Sequence, residues 1–216
     1  MKVEFLLPIQ SQHLVHILNG DKTLELRKLL PKNFDGLVKK HGGIWVNLYC
    51  TKGGEGLYFD YLGRDWFLYD EGNASNKIIH NGKVVARFWF DEYSFIEYDE
   101  ETPLMDYDYD YDDNVVEYIV EESSYAVSLR TLKELCLTYT ELDAYGKGKD
   151  LYAWHIKRLE IFDKPKELSD FYKRTYLGDE TIKHQYRKRG ILSEIYLKPL
   201  TKAPQSFRYV YVKGEK

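Results

Sequence analysis

Cysteine and long apolar runs are both scarce in this sequence of 216 residues, and each scarcity excludes a class of protein. Cys50 and Cys136 are the only cysteines, too few for a disulfide framework or a cysteine-based zinc site. No run of about 18 apolar residues is present, so no membrane span is expected. The apolar patch within residues 1–10 is too short and too poorly flanked for a signal peptide. We therefore expect a reduced, cytoplasmic protein without a membrane partner.

The familiar catalytic and metal-binding signatures are also missing. The sequence has no HExxH, no GxSxG and no phosphate loop. His13 and His16 lie one helical turn apart, but no third ligand follows nearby, which favours a structural or surface role. Residues 106–117 place acids at several EF-hand positions, yet Tyr111 stands where that loop needs a glycine. The sequence therefore predicts no metal site and no cofactor.

Charge is distributed very unevenly along the chain. Residues 91–122 contain fourteen Asp and Glu and no Lys or Arg, so the rest of the chain has 21 acids against 31 bases, a remainder of +10. A field of this sign favours polyanionic partners. The segment 164–216 has thirteen bases against six acids, and its densest part, 182–190, is flanked by tyrosines. Such interleaving suits phosphate neutralisation and base stacking, although a solvated basic loop is equally consistent with it.

The pattern of strands and helices predicts an α+β protein. Strands outnumber helices, and the helices are inserted singly instead of alternating with strands as in a parallel βαβ sheet. We expect one domain over residues 1–216, built as a small mixed β-barrel with surrounding helices, an acidic insertion at about 93–125 and a basic C-terminal extension at about 164–216. Strands are predicted at 3–7, 23–28, 44–50, 82–92, 151–162 and 207–212, with a hairpin-like region at 57–82.

Two capping boxes mark helix starts in the second half of the chain. Thr131 with Glu134, and Thr138 with Glu141, have the spacing at which a hydroxyl and a carboxylate cap the first turn reciprocally. The second of these helices is predicted to stop at Gly146. The other predicted elements are a helix after Ser11 that ends at Gly20, a short helix at 166–173 and a loop through Pro31 and Gly36. The segment 173–206 is predicted to be largely loop, with helix in part of it as the alternative.

The stretch NGDKTLELRK, residues 19–28, combines a turn, two leucines and several charges. If it is a strand, Leu24 and Leu26 face the core, while Glu25 and Arg27 share the other face with Lys22 near its mouth. That second face is either a solvated exterior or the wall of a site, and the alternation alone does not decide between them.

This stretch is the first of several motifs that occur in a fixed order. The pattern G-x-K-x-x-E-x-R at 20–27 is followed by GKVVARFWFDE at 82–92, YAWHI at 152–156 and APQSFRYV at 203–210. Together these pieces resemble the ASCH family of the PUA-like superfamily, in its bacteriophage and prophage branch. The resemblance implies a small PUA-like β-barrel whose cleft is associated with RNA or modified nucleosides.

The resemblance also implies roles for individual residues. The family includes an amidohydrolase that removes an acyl group from a modified cytidine, and others described as ribonucleases. The catalytic lysine of that deacylase corresponds to Lys22. Glu25 occupies the position of its threonine partner, and Arg87 the position of its central-strand glutamate. If this protein is an enzyme, Lys22 and Glu25 are therefore the expected catalytic residues.

The sequence-based prediction of function is binding of nucleic acid or a nucleotide, with RNA preferred. We expect Lys22, Arg27 and Arg87 to converge around one cleft, with Glu25 orienting one of the arginines. Three cations in such a cleft suit a phosphate or a base edge better than acid/base catalysis. One alternative is a hydrolase acting on a modified nucleoside or RNA. Another is a phage protein that engages a host protein through residues 99–122, whose alternating carboxylates imitate a phosphate backbone. The predicted binding residues are Lys22, Arg27, Lys28, Lys52, Arg87, Lys183, Arg187, Lys188 and Arg189.

Overall fold

A computed structural model describes residues 2–60, 64–69, 79–99, 123–125, 127–176, 181–188 and 191–213. The acidic residues 100–122 and Arg189 therefore lie outside the described part of the chain. The α-helices are α1 (Ser11–Asn19), α2 (Phe34–His41), α3 (Leu129–Leu135) and α4 (Tyr139–Gly146). The strands are β1 (Lys2–Ile9), β2 (Leu24–Arg27), β3 (Ile44–Cys50), β4 (Gly56–Asp60), β5 (Asp65–Tyr69), β6 (Val84–Phe90), β7 (Tyr93–Ile96), β8 (Leu151–His155), β9 (Lys157–Lys166), β10 (Phe171–Thr175), β11 (Ile182–Lys188), β12 (Ile191–Pro199) and β13 (Arg208–Val212).

These elements confirm the predicted α+β class. The strands form an eight-stranded sheet in the order β11-β12-β10-β13-β1-β3-β6-β9, a three-stranded sheet β2-β8-β7 and the hairpin β4-β5. Within the described residues none of these sheets closes into the barrel that the sequence suggested. No described helix has the length and apolar character needed to cross a membrane.

The chain forms two compact units, each built from separated segments. Unit 1 comprises Met1–Asn19, Ile44–Trp89 and Arg158–Lys216, and unit 2 comprises Gly20–Gly43 and Phe90–Lys157. Unit 1 contains nearly all of the large sheet, and its predicted basic extension supplies strands of that sheet. The prediction of one domain over the whole chain stays a prediction.

In unit 1 the strand β1 occupies the middle of the large sheet. Phe5 pairs with Val46 of β3 in parallel and with Tyr209 of β13 in antiparallel register. Residues 5–7 of β1 are fully buried because both neighbours are strands and both faces are covered. One apolar cluster of the unit contains Leu6, Tyr49, Val84, Phe171, Leu200 and Val210.

Unit 2 is built around the three-stranded sheet and the helices α3 and α4. β8 lies between β2 and β7, with Glu25 opposite Trp154 on one side and Tyr93 opposite the same residue on the other. Strand β7 lies within the predicted insertion at 93–125, so part of that segment belongs to the sheet. The core of the unit contains Leu24, Leu26, Ile96, Tyr125, Leu132, Leu135, Leu142, Leu151 and Ala153.

Several predicted elements are confirmed by the structure. β3 has the predicted bounds, and α4 has the predicted capping box, with Glu141 N donating to the Thr138 hydroxyl and Thr138 N donating to the Glu141 carboxylate. α1 begins at Ser11 and is followed by Gly20 at φ +84°, where a left-handed conformation suits a glycine. The hairpin-like region at 57–82 contains the hairpin β4-β5.

Other predicted elements are wrong. The capping box at Thr131 and Glu134 does not exist, because the N-cap of α3 is Ser128, three residues before Thr131. The strand predicted at 151–162 is divided at Ile156, whose N–H donates to Thr23 O, and β8 and β9 belong to different sheets. The short helix at 166–173 is a 3₁₀ turn, Leu168–Asp170, followed by β10. The predicted loop at 173–206 contains β11 and β12, and the predicted loop after β2 contains α2.

Candidate functional site

Lys22, which precedes β2, and Glu25 and Arg27 of β2 form a charged triad in unit 2. Lys22 and Glu25 are only 4% and 5% exposed, although both carry charge. Lys22 Nζ donates to Leu135 O at 2.7 Å and lies 3.6 Å from Glu25 Oε2. Glu25 Oε1 is 2.6 Å from Arg27 Nη2. The carboxylate therefore has a cation on each side, as a buried charge requires.

The triad connects the start of β2 to the end of α3. The Leu135 carbonyl, at the end of α3, has no partner within the helix, and the Lys22 ammonium satisfies it. Thr23 N donates to Glu134 O at 3.0 Å beside this contact. On the strand's other side, β2 pairs with β8. The charges of the triad are thus used in holding the fold together.

The arrangement limits what Lys22 can do chemically. A lysine that acts as a base or nucleophile needs a free amine lone pair, whereas Lys22 donates to a carbonyl and faces a carboxylate. Lys28 lies beyond the triad, with Nζ 5.2 Å from the centre of the Tyr145 ring. His155 Nε2 forms a hydrogen bond of 2.9 Å with the Ser94 hydroxyl. Of these contacts, only the hydrogen bond between Ser94 and His155 joins a hydroxyl to a side chain that can act as a base, at the distance typical of such pairs.

Arg87, the third cation of the predicted cleft, lies on β6 in unit 1. Its Nη2 is 2.7 Å from Glu160 Oε2, its Nη1 is 3.6 Å from Glu4 Oε1, and its guanidinium lies 4.3 Å from the centre of the Trp45 ring. Glu4 is buried and also accepts a hydrogen bond from Asn47 Nδ2 at 2.7 Å. Arg87 is therefore compensated within its own unit, and its predicted convergence with Lys22 and Glu25 stays a prediction.

The remaining predicted cations are spread over unit 1. Lys183 on β11 forms an ion pair with Glu194 of β12, with Nζ to Oε1 at 2.7 Å. Lys52 is exposed in the turn that follows β3. Arg187 and Lys188 belong to β11 by their backbone.

A different group of cations surrounds a cavity of about 500 Å³ in unit 1, which we call the basic cavity. Lys173 of β10, Arg208 of β13 and Lys202 of the β12–β13 connection line it together with the turn 200–207. All three cations are exposed. Among the described residues, no Asp or Glu lines the cavity and none of these three cations has a carboxylate at ion-pairing distance.

The fold presents these cations through a turn with anchored ends. Leu200 is buried in the core of unit 1, and its N–H donates to Phe171 O at 2.8 Å. At the other end the ring of Phe207 packs edge-on against Phe5, with centroids 5.7 Å apart. The polar side chains of Thr201, Gln205 and Ser206 lie between these anchors and line the cavity, where they add hydrogen-bonding groups to the three positive charges.

The sequence predicts the basic segment that contains these residues but not the cavity. The cations are densest at 182–190, whereas the cavity combines residues from two strands and a turn that are up to 35 positions apart. The available signal was the turn KPLTKAPQSF, in which two prolines bracket Lys202 close to Arg208.

Among the described residues, no group of three His, Cys, Asp or Glu forms a metal site.

No protein-family model matches the chain, and no curated protein shows a significant match. Among solved structures, the chain is similar to the crystal structure of ASCH from Zymomonas mobilis, with a TM-score of 0.40 and 12% sequence identity over 76% of this chain and 73% of that chain. The name is that of the family which the sequence motifs resemble. At this TM-score the likeness indicates no shared function, and both family membership and the phage branch stay predictions.

Proposed function

We propose that the protein binds single-stranded nucleic acid, with RNA preferred, through the basic cavity. The observation that carries the proposal is the group of three exposed cations, Lys173, Lys202 and Arg208, around a cavity without acidic lining among the described residues. Ion pairing with carboxylates elsewhere in the protein would reduce their attraction for phosphate, and these three have no such partner in the described chain.

The surroundings of the cavity support a polynucleotide over a single small anion. A volume of about 500 Å³ accommodates a nucleotide-sized group, and three cations can neutralise successive phosphates. Elsewhere in unit 1, Tyr176, three positions after Lys173 in the sequence, is 93% exposed and offers its ring for stacking on a base. The excess of ten positive charges outside residues 91–122 adds long-range attraction for a polyanion. The sequence resemblance to the ASCH family supports the same class of ligand.

Titration of a labelled single-stranded RNA of about 12 nucleotides, followed by fluorescence anisotropy, tests the proposal. We expect affinity to fall as salt rises from about 50 to 200 mM, because cations of the protein displace counterions from the phosphates. The triple variant Lys173→Ala, Lys202→Ala and Arg208→Ala should bind more weakly and lower the slope of log K against log salt by about 2, roughly 0.7 per phosphate contact. DNA of the same sequence shows whether RNA is preferred.

The matched control is Lys149→Ala in unit 2, an exposed lysine whose side chain has no partner among the described residues. This substitution removes one positive charge outside the basic cavity. It should leave the slope of log K against log salt unchanged. A triple variant that retains the affinity and slope of the wild type would overturn the proposal. The same titration with Arg27→Ala, Lys28→Ala, Lys52→Ala and Arg87→Ala checks the binding residues predicted from the sequence.

A further inference from the structure

The hairpin β4-β5 is a two-stranded sheet of its own, so in the described chain each of its strands has an outer edge without a strand neighbour. Asparagine side chains cover both edges. The Asn19 carboxamide covers β5, since its Nδ2 donates to Trp66 O and its Oδ1 accepts from Trp66 N, each at 2.9 Å. The Asn81 carboxamide covers β4, since its Oδ1 accepts from Leu57 N at 2.7 Å and its Nδ2 donates to Glu55 O at 3.1 Å. We call these two contacts the carboxamide clamps.

Apolar contacts hold the same hairpin. Leu57 is fully buried and Trp66 is 5% exposed. The Trp66 ring lies 5.2 Å from that of Phe59 and 5.1 Å from that of His80, measured between centroids. His80 N donates to Leu57 O at 2.7 Å, next to the clamp that Asn81 makes. Loss of one carboxamide clamp should therefore loosen the hairpin without unfolding unit 1.

Both clamping asparagines are followed by a glycine, Gly20 and Gly82. Asparagine before glycine is especially prone to deamidation, because a residue without a β-carbon lets its backbone nitrogen approach the asparagine Cγ. The glycine nitrogen loses its proton and attacks Cγ, the carboxamide nitrogen leaves as ammonia, and a cyclic succinimide forms. Water then opens the ring to aspartate or isoaspartate. The net reaction consumes water, releases ammonia and replaces the carboxamide with a carboxylate.

A carboxylate cannot make the contacts of a carboxamide clamp. It only accepts hydrogen bonds, so one oxygen can still accept from Trp66 N or Leu57 N, but the other faces a carbonyl oxygen with no proton between them. The lost donor and the repulsion between oxygens both weaken the closed hairpin. At Asn19 the new negative charge also lies at the C-terminal end of α1, where the helix dipole disfavours it.

The two sites differ in how well the fold protects them. Asn19 is exposed, whereas Asn81 is half-buried. At the second site the attacking nitrogen, Gly82 N, donates to Cys50 O at 2.8 Å, and this hydrogen bond must break before the reaction. Because both clamps hold one hairpin, loss of the first makes the second easier to open. We propose that Asn19 and Asn81 are coupled deamidation sites, modified in this order, through which the ageing protein releases the hairpin β4-β5.

The experiment incubates the full-length protein in mildly alkaline buffer and follows conversion at residues 19 and 81 by mass spectrometry of proteolytic peptides. We expect Asn19 to convert before Asn81, and both to convert more slowly than in the same protein unfolded in urea, where neither clamp exists. In Asn19→Asp, which reproduces the first product, Asn81 should convert about tenfold faster than in the unmodified chain, because a hydrogen bond of the hairpin is lost. Asn33 and Asn47, which glycine does not follow, serve as internal references.

The matched control is Asn33→Asp, which introduces the same charge next to α2 in unit 2, where Asn33 makes no side-chain capping bond. It should leave the rate at Asn81 unchanged. Equal rates at Asn81 in the unmodified chain and in Asn19→Asp would overturn the coupling, and equal rates at Asn19 in folded and unfolded protein would exclude the clamp.

If Asn19→Asp does not fold, the time course of the unmodified chain decides. Fragmentation of intact chains in the mass spectrometer should find conversion at residue 81 mainly in chains already converted at residue 19. Independent conversion at the two residues would contradict the proposal. None of the clamp residues lines the basic cavity, so this outcome leaves the proposed binding of RNA untouched.

Discussion

Glu25 is the residue whose loss should disturb unit 2 most, because its carboxylate compensates two cations. Glu25→Gln leaves Lys22 and Arg27 without it, and we expect the free energy of unfolding to fall by about 3 kcal/mol. Lys22→Met leaves Glu25 paired with Arg27. It should lower the free energy of unfolding by less, about 1 kcal/mol, because only the hydrogen bond to Leu135 O is lost. Urea unfolding followed by circular dichroism measures both.

The control for this series is Arg130→Met on α3. Arg130 pairs with Glu134 on the surface, where its side chain is 86% exposed, so removing it should change stability by less than about 0.5 kcal/mol. If Glu25→Gln lowers the free energy of unfolding no more than Arg130→Met does, the triad does not stabilise β2.

Some contacts of the candidate site could be predicted from the sequence and others could not. The alternation of a strand places Glu25 beside Arg27 on one face, and the ion pair between them follows from that alone. The partner of Lys22 is the carbonyl of Leu135, 113 positions further along the chain, and no local pattern indicates it. The basic cavity was missed for the same reason, since its cations come from segments that only the folded sheet brings together.

α3 and α4 each begin with a side-chain cap. Ser128 caps α3 by accepting from Thr131 N at 3.2 Å, and Thr138 caps α4 within its capping box. Ser128→Ala and Thr138→Ala should each lower stability by about 1 kcal/mol. Thr131→Ala should cost less than about 0.5 kcal/mol, because Thr131 is already inside the helix. Thermal unfolding compares the three, and an effect of Thr131→Ala equal to that of Ser128→Ala would contradict the assignment of the cap.

The elements that sequence reasoning missed were stabilised by tertiary contacts. α2 has an internal glycine, Gly36, and its N-cap residue Asn33 makes no side-chain capping bond, so its local signals are weak. Its buried residue Phe34 stacks on Phe90 with centroids 4.3 Å apart, which supplies the stabilisation that propensity lacks. β12 likewise buries Ile195 and Leu197 against Tyr172 of β10, within a segment that looked too polar for a strand.

The acidic segment at 100–122 dominates the charge balance of the whole chain. Its flanks meet in unit 2, where Asp99 N donates to Ser124 O at 2.9 Å and Tyr98 forms a β-bridge with Tyr125. Residues 100–122 can therefore be replaced by a short Gly/Ser linker without pulling these flanks apart. The replacement removes ten acids and no base, and changes the net charge from -4 to +6. We expect RNA binding at low salt to become tighter, measured by the anisotropy titration above.

A control variant separates the effect of the segment itself from the effect of the change in net charge. A variant with ten exposed carboxylates outside the segment changed to amides, including Asp35, Glu55 and Asp65, has the same net charge. Tighter binding by the deletion than by this variant supports a segment that covers the protein's own basic surface. If the deletion and the amide variant bind RNA equally, and a co-purifying host protein is lost only from the deletion, the segment imitates phosphates for a protein partner. If the deletion changes neither property, both readings are wrong.

The position of β1 in the middle of the large sheet has a consequence for synthesis on the ribosome. Phe5 pairs with Val46 on one side, but its partner on the other side is Tyr209, 204 residues later. At about 5–20 residues per second, roughly 10–40 s pass between the translation of the two. Throughout that interval a nascent β1 with an apolar sequence has one unpaired edge, which is a template for pairing with other chains. The yield of folded protein should therefore depend on chaperone capacity and growth temperature more than its final stability would suggest.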